Sequence, residues 1–118
     1  DENNLRINAA ETGDYLRGRL EDLKEKHAVI GDVRGMGLMQ ALELVEDRVS
    51  KQPASGVTLA VMEAARENRI LIGKGGLYGN VIRITPPLNI AKTDVDEFIG
   101  RLDLSLTTAT RHTSATHV

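Results

Sequence analysis

The stretch Asn80-Val81-Ile82-Arg83-Ile84-Thr85-Pro86-Pro87-Leu88 sets one arginine inside an apolar run that two prolines bring to a stop. Alternation along a strand sends Ile82 and Ile84 to one face and Val81, Arg83 and Thr85 to the other. The first face reads as core. The second offers a guanidinium on rigid backbone, and its fork suits a carboxylate held by two parallel hydrogen bonds. Pro86 and Pro87 cannot donate ladder hydrogen bonds, so the strand ends there and the arginine stands near a stiff exit. An arginine on the outer face of a strand also serves as an ordinary surface or ion-pair residue, and the local sequence leaves both readings open.

Upstream of this strand, Ile70-Leu71-Ile72 reads as a brief strand and Gly73 to Gly79 as a glycine-rich turn, rather long for a tight hairpin. Val57, Ala60, Val61, Ala64 and Ala65 fall at helical spacing, and their small side chains let that helix lie close to a sheet. The polar segment from Glu46 to Ser55 reads as a loop. Before it, glycines at 31, 35 and 37 exclude a helix, at about 1 kcal/mol each, while Leu38 to Val45 resemble a half-buried strand. A short strand, a glycine bend and a longer strand follow. From Asn3 to His27, the spacing of Leu5, Ala9, Leu16, Leu20 and Leu23 predicts one long amphipathic helix, with Asn3 or Asn4 as its cap and Lys24 and Lys26 at the negative end of its dipole.

Downstream, Thr93-Asp94-Val95-Asp96 opens a final helix, with the threonine as cap, and Val95, Phe98, Ile99, Leu102 and Leu106 form its buried side. Residues 107–118 lose this periodicity and are expected to form a disordered tail. The order helix, two strands, helix, two strands, helix predicts one α+β domain over residues 1–106. In it, helices pack on one face of a small, mainly antiparallel sheet, and Arg83 points to the other face.

A chain of 118 residues is long enough to bury a core without disulfides, and it contains no cysteine, which removes thiol nucleophiles and thiolate metal sites. The formal net charge of -2 offers no broad field for nucleic acid or anionic membrane. No apolar run approaches the roughly 20 residues of a membrane span, and the polar start lacks the features of a signal peptide; that polar start and the absence of an initiating Met suggest a piece cut from something longer, or a sequence that begins late.

The remaining constellations have plainer readings. Lys74-Gly75-Gly76 lacks the glycine and hydroxyl spacing of a phosphate-binding loop, so its glycines are read as turn residues. In Arg34-Gly35-Met36-Gly37 the glycines are read as a bend or bulge, with Arg34 tying down neighbouring carbonyls. Met36 and Met39 are read as fillers next to the core. His27, His112 and His117 do not converge at metal-ligand spacing, so no metal site is expected. Asp94 with Asp96, and Glu46 with Asp47, are read as capping or loop residues, and no catalytic triad is arguable.

Taken together, Gly31-Asp32-Val33-Arg34-Gly35-Met36-Gly37-Leu38-Met39, Glu43-Leu44-Val45 and Gly79-Asn80-Val81-Ile82-Arg83-Ile84-Thr85-Pro86-Pro87-Leu88-Asn89-Ile90 resemble the C-terminal part of class III aminotransferases, which are pyridoxal-phosphate enzymes of fold type I. The resemblance runs from Asn3 to Leu106 in the right order. Pro53, Ala64-Ala65-Arg66-Glu67 and Ile72-Gly73-Lys74-Gly75-Gly76 are most similar to alanine–glyoxylate and 4-aminobutyrate aminotransferases. Arg69 departs from the pattern, since relatives often carry glycine at this helix end.

The resemblance implies that Arg83 binds the substrate carboxylate and that the open sheet face lies against a larger cofactor domain. It implies no catalytic or cofactor-binding residue here. The Schiff-base lysine, the aspartate that pairs with the pyridinium nitrogen and the phosphate-binding loop belong to sequence absent from this chain. Lys24, Lys26, Lys51, Lys74 and Lys92 occur in none of that context, so the fragment alone is expected to be inactive. A full-length enzyme would pass an amino group from an amine or amino acid to a 2-keto acid. It would act as a homodimer, in the cytoplasm or, in a eukaryote, the mitochondrial matrix. The alternative is a non-catalytic module that binds small carboxylates or another protein.

Overall fold

The elements in chain order are α1 (Glu2–Lys26), β1 (Ile30–Met36), β2 (Met39–Leu44), α2 (Ser55–Glu67), β3 (Gly73–Gly75), β4 (Val81–Ile84) and α3 (Lys92–Ala115). The computed structural model describes residues 2–70 and 72–115, with side chains as far as Arg111. The strands pair antiparallel throughout, in the order β1-β2-β4-β3. Val33, Leu42, Leu44, Ile82 and Ile84 leave one face of this sheet and join Leu16, Leu20 and Leu23 of α1, Val61 and Ala65 of α2, and Val95, Ile99, Leu102 and Leu106 of α3 in a single core. All three helices therefore lie on one face, as the α+β reading requires. Among the described residues no helix is long and apolar enough to cross a membrane.

Several local expectations are corrected. The first helix already includes Asn3 and Asn4, which therefore lie in its first turn and do not cap it. At its other end Arg48 reaches over from the loop and donates to the carbonyls of Lys24, in the last turn of the helix, of His27 (3.1 Å) and of Ile30 (3.2 Å), tying the helix end to the start of β1. β1 is not short: Gly35 stays in the ladder opposite Gln40, and the irregularity falls between Ile30 and Asp32.

Ile70 and Ile72 are not strand residues, and Leu71 lies outside the described residues. The strand is Gly73–Gly75, because a ladder needs only backbone groups and these three residues meet β4 in register. Moving the strand forward shortens the turn, which Gly79 N–H closes onto the Gly76 carbonyl (3.2 Å), so β3 and β4 are direct neighbours. Arg69 takes the left-handed conformation (φ 61) that a glycine would adopt, and Ile70 N–H still closes the end of α2 on Ala65 O at 3.0 Å.

The cap expected from Thr93 comes instead from Asp94, whose carboxylate accepts the Ala91 N–H at 3.1 Å. The helix then runs beyond Leu106, through most of the stretch expected as a disordered tail, to Ala115. Ala109 is buried there, and the Thr110 hydroxyl donates back to Leu106 O at 2.8 Å. Residues 116–118 lie outside the described residues.

One polar cluster ties α1 to α3. Asp103 accepts from Lys26 Nζ at 2.7 Å and meets the buried His27 Nε2 at 2.6 Å. Burial pushes the Asp103 carboxyl up, but the hydrogen bonds and charges of Lys26 and His27 outweigh it and hold the group below its ordinary 3.8. A depressed carboxylate stabilises the fold above its unfolded pKa and loses that contribution as pH falls through the folded value. Asp103→Asn is accordingly expected to cost about 1–2 kcal/mol at neutral pH, with the gap between variant and parent closing below about pH 4 in urea titrations.

Candidate functional site

The register sets out the face of the sheet that carries no helix. Arg34 stands opposite Ala41, Ala41 opposite Arg83, and Arg83 opposite Gly73. The neighbouring row runs Asp32, Glu43, Val81 and Gly75. From Ile82 onward burial follows the alternation read from the sequence, with Ile82 and Ile84 at 0% and 2% exposure and Arg83 exposed between them, whereas Val81, on the Arg83 face, is buried.

The two arginines of this face differ in their partners. Arg34 is occupied: its guanidinium lies 2.7 Å from Glu43 and 3.6 Å from Asp32. It thus binds carboxylates, not the carbonyls expected. The carbonyls of Val33 (2.9 Å) and Gly35 (3.5 Å) are held by Arg17 of α1. Among the described residues no carboxylate pairs with Arg83. Its guanidinium leans over β3 and donates from Nη2 to the Lys74 carbonyl at 3.3 Å. One edge of the fork is thereby anchored to backbone, while its other N–H groups are free to meet an anion.

Both ends of the segment carrying Arg83 are fixed. Before it, buried Asn80 shares hydrogen bonds with Leu44: its Nδ2 donates to Leu44 O at 3.0 Å, and Leu44 N–H donates to Asn80 O at 2.8 Å. Beyond Pro86 and Pro87, the Asn8 amide of α1 donates to the carbonyls of Leu88 (2.9 Å) and Ile90 (3.2 Å). Neither asparagine was legible as a site residue, because Asn8 lies about eighty positions away along the chain and carries no local signal. Gly73 and Gly75, read only as turn residues, are strand residues under Arg83.

Met36 and Met39 are not core fillers. They sit opposite each other at the tip of the β1–β2 hairpin and are 84% and 68% exposed. The Lys74-Gly75-Gly76 segment belongs to a strand and hairpin turn, not to a loop that opens a helix. Of the histidines, His27 is committed to Asp103, and the side chains of His112 and His117 lie outside the described residues.

Residues 1–106 match the family model described as aminotransferase class-III. Over 102 residues, 86% of this chain, it is 53% identical to alanine–glyoxylate aminotransferase 2 homolog 2, mitochondrial, of Arabidopsis thaliana. It is 42% identical over 92 residues, 78% of the chain, to an alanine/serine racemase of Pyrococcus horikoshii. The chain spans only 21% and 19% of the lengths of these relatives. Among solved structures, an aminotransferase of Bacillus anthracis superposes with a TM-score of 0.83 at 31% identity, covering 90% of this chain and 25% of that one.

Proposed function

The chain belongs to the class III aminotransferase family, and from that premise we propose that its part in amino-group transfer is to receive the substrate carboxylate on Arg83. The observation that carries this reading is a guanidinium without an acidic partner among the described residues, standing on the open face of the sheet and anchored at one edge to Lys74 O. Two charge-assisted hydrogen bonds from it to the carboxylate of an amino acid or 2-keto acid would fix the end of the substrate away from the reacting carbon. Holding and orienting that end is the whole of the contribution assigned to this domain.

The family's pyridoxal phosphate supplies the electron sink for the chemistry, and the residues present here do not fit a site for it. Lys24 is half buried along α1, while Lys26, Lys51, Lys74 and Lys92 are exposed, with Lys26 bound to Asp103. The cofactor, its lysine and the larger domain facing Arg83 are assigned to the rest of a longer protein, acting as a homodimer. Its expected compartment is the cytoplasm, or the mitochondrial matrix if the source is eukaryotic. The binding-module alternative is not favoured, because the family match extends over residues 1–106.

The test is an amino-group transfer assay on the full-length protein loaded with pyridoxal phosphate, supplied with an amino donor and a 2-keto acid. Stoichiometric formation of a new amino acid and a new keto product is expected, with none from the 118-residue chain alone. Inversion of alanine or serine without amino-group exchange would replace transfer with racemisation and leave the carboxylate contact to be judged separately.

A further inference from the structure

The geometry points to Gly75 as the seat that positions the Arg83 guanidinium, so that the absence of a side chain at this position of β3 sets where a carboxylate is received. This inference rests on the reading of Arg83 given above. A Cβ built on Gly75 would stand 3.1 Å from Arg83 Nε, 3.3 Å from Cδ and 3.4 Å from Cζ. One built on Gly73 would stand 3.6 Å from Nε, 3.7 Å from Cβ and 3.8 Å from Nη2. The arginine side chain therefore lies flat along β3, most closely over Gly75.

Cross-strand neighbours on one face of an antiparallel sheet compete for the same space. Arg83 has Gly73 directly opposite and Gly75 next along the same face, and it fills the room above both. On its other flank, directly across from Arg83, is Ala41, and beyond that Arg34 holds Glu43. The guanidinium is thus drawn toward β3 by the Lys74 carbonyl, and it can reach that carbonyl only because position 75 carries no Cβ. Neither Gly73 nor Gly75 has a positive φ, so the backbone itself does not require glycine at either position. What glycine supplies here is space for Arg83.

The two positions give a contrast of their own. At Gly73 an added methyl makes ordinary van der Waals contact; at Gly75 it is too close, and Arg83 must move by a few tenths of an ångström. Because Arg83 is exposed and flexible, that movement costs little stability, but it displaces the fork from the carboxylate. In the full-length enzyme, Gly75→Ala is expected to raise KM for a 2-keto acid about 5- to 10-fold, on the scale by which sub-ångström misplacement weakens catalysis. KM for an amine donor that lacks a carboxylate should stay unchanged, and so should the melting temperature. Gly73→Ala should stay within about twofold of the parent for both substrates. Gly75→Val should exceed the alanine variant in the same direction.

Arg83→Ala is run alongside. If it leaves the keto-acid KM unchanged, the carboxylate reading itself fails. If it raises KM while Gly75→Ala behaves as the parent, or while Gly73→Ala and Gly75→Ala behave alike, the seat inference is overturned and the carboxylate reading survives. A rise in the amine KM equal to that in the keto-acid KM would also overturn it, because a general disturbance of the sheet would move both.

Discussion

Replacing Arg83 by alanine in the full-length enzyme is expected to raise KM for carboxylate substrates about 10- to 100-fold, the equivalent of losing a charge-assisted contact of about 1.5–3 kcal/mol. The loss should fall on carboxylate substrates alone. Amines without a carboxylate never use the guanidinium, and the cofactor is assigned to another part of the protein. Arg83→Lys should recover only part of the effect, since an ammonium is a point charge and cannot reproduce two parallel N–H donors. It would also lose the anchor on Lys74 O, which needs the reach and planarity of the fork. Equal kinetics in parent and alanine variant, with a folded protein, would remove Arg83 from the site.

The largest effect on stability is expected at a glycine that the sequence does not mark. Gly13 lies in α1 and is buried. A Cβ there would stand 2.5 Å from the carbonyl carbon of Gly37 and 2.6 Å from its oxygen. Both are backbone atoms of the β1–β2 hairpin turn, so the strain cannot be relieved by a side-chain rotation. Gly13→Ala gains about 1 kcal/mol in helix propensity but must push helix and hairpin apart, for a net destabilisation of about 2–3 kcal/mol. Gly18, five positions on in the same helix, is exposed and has nothing within 4 Å of an added Cβ. Gly18→Ala is expected to stabilise by about 0.5–1 kcal/mol. Opposite signs from the same substitution in one helix, read by urea unfolding of this chain, would confirm that α1 docks through Gly13. Stabilisation by both would show that the helix and hairpin do not approach so closely.

These two sites mark the boundary of what the sequence made legible. Arg83 could be placed on the outer face because a strand has a period of two, and flanking Ile82 and Ile84 fix the phase. The helices were legible for the same kind of reason, since apolar residues at 3.6-residue spacing name their own buried side. β3 was not, because Gly73-Lys74-Gly75 has no side-chain alternation, and its place in the sheet is decided by backbone pairing with a strand farther along the chain. The same blindness hid the use of its glycines: that Gly75 makes room for Arg83 depends on the register between strands.

Other misses have comparable causes. Met36 and Met39 are apolar, and residue type alone suggested core; only the position of the hairpin tip shows that they point away from it. The last turns of α3 are rich in threonine, which propensity counts against a helix, yet Ala109 packs into the core and Thr110 bonds back to Leu106. Arg69 stands where a glycine is easier, and the backbone accepts the left-handed conformation because closing α2 fixes it there. Asn8 and Asn80, which hold the two ends of the Arg83 segment, could not be recognised without knowing which carbonyls would be near them.

The most direct test of the central claim is a crystal structure of the full-length enzyme with a non-reactive carboxylate analogue of an amino acid in its site. The account predicts the carboxylate facing the Arg83 fork, with two N–O separations of about 2.7–2.9 Å and Nη2 still near Lys74 O. A carboxylate seated on another cation, with the Arg83 guanidinium too far away for a hydrogen bond, would contradict it.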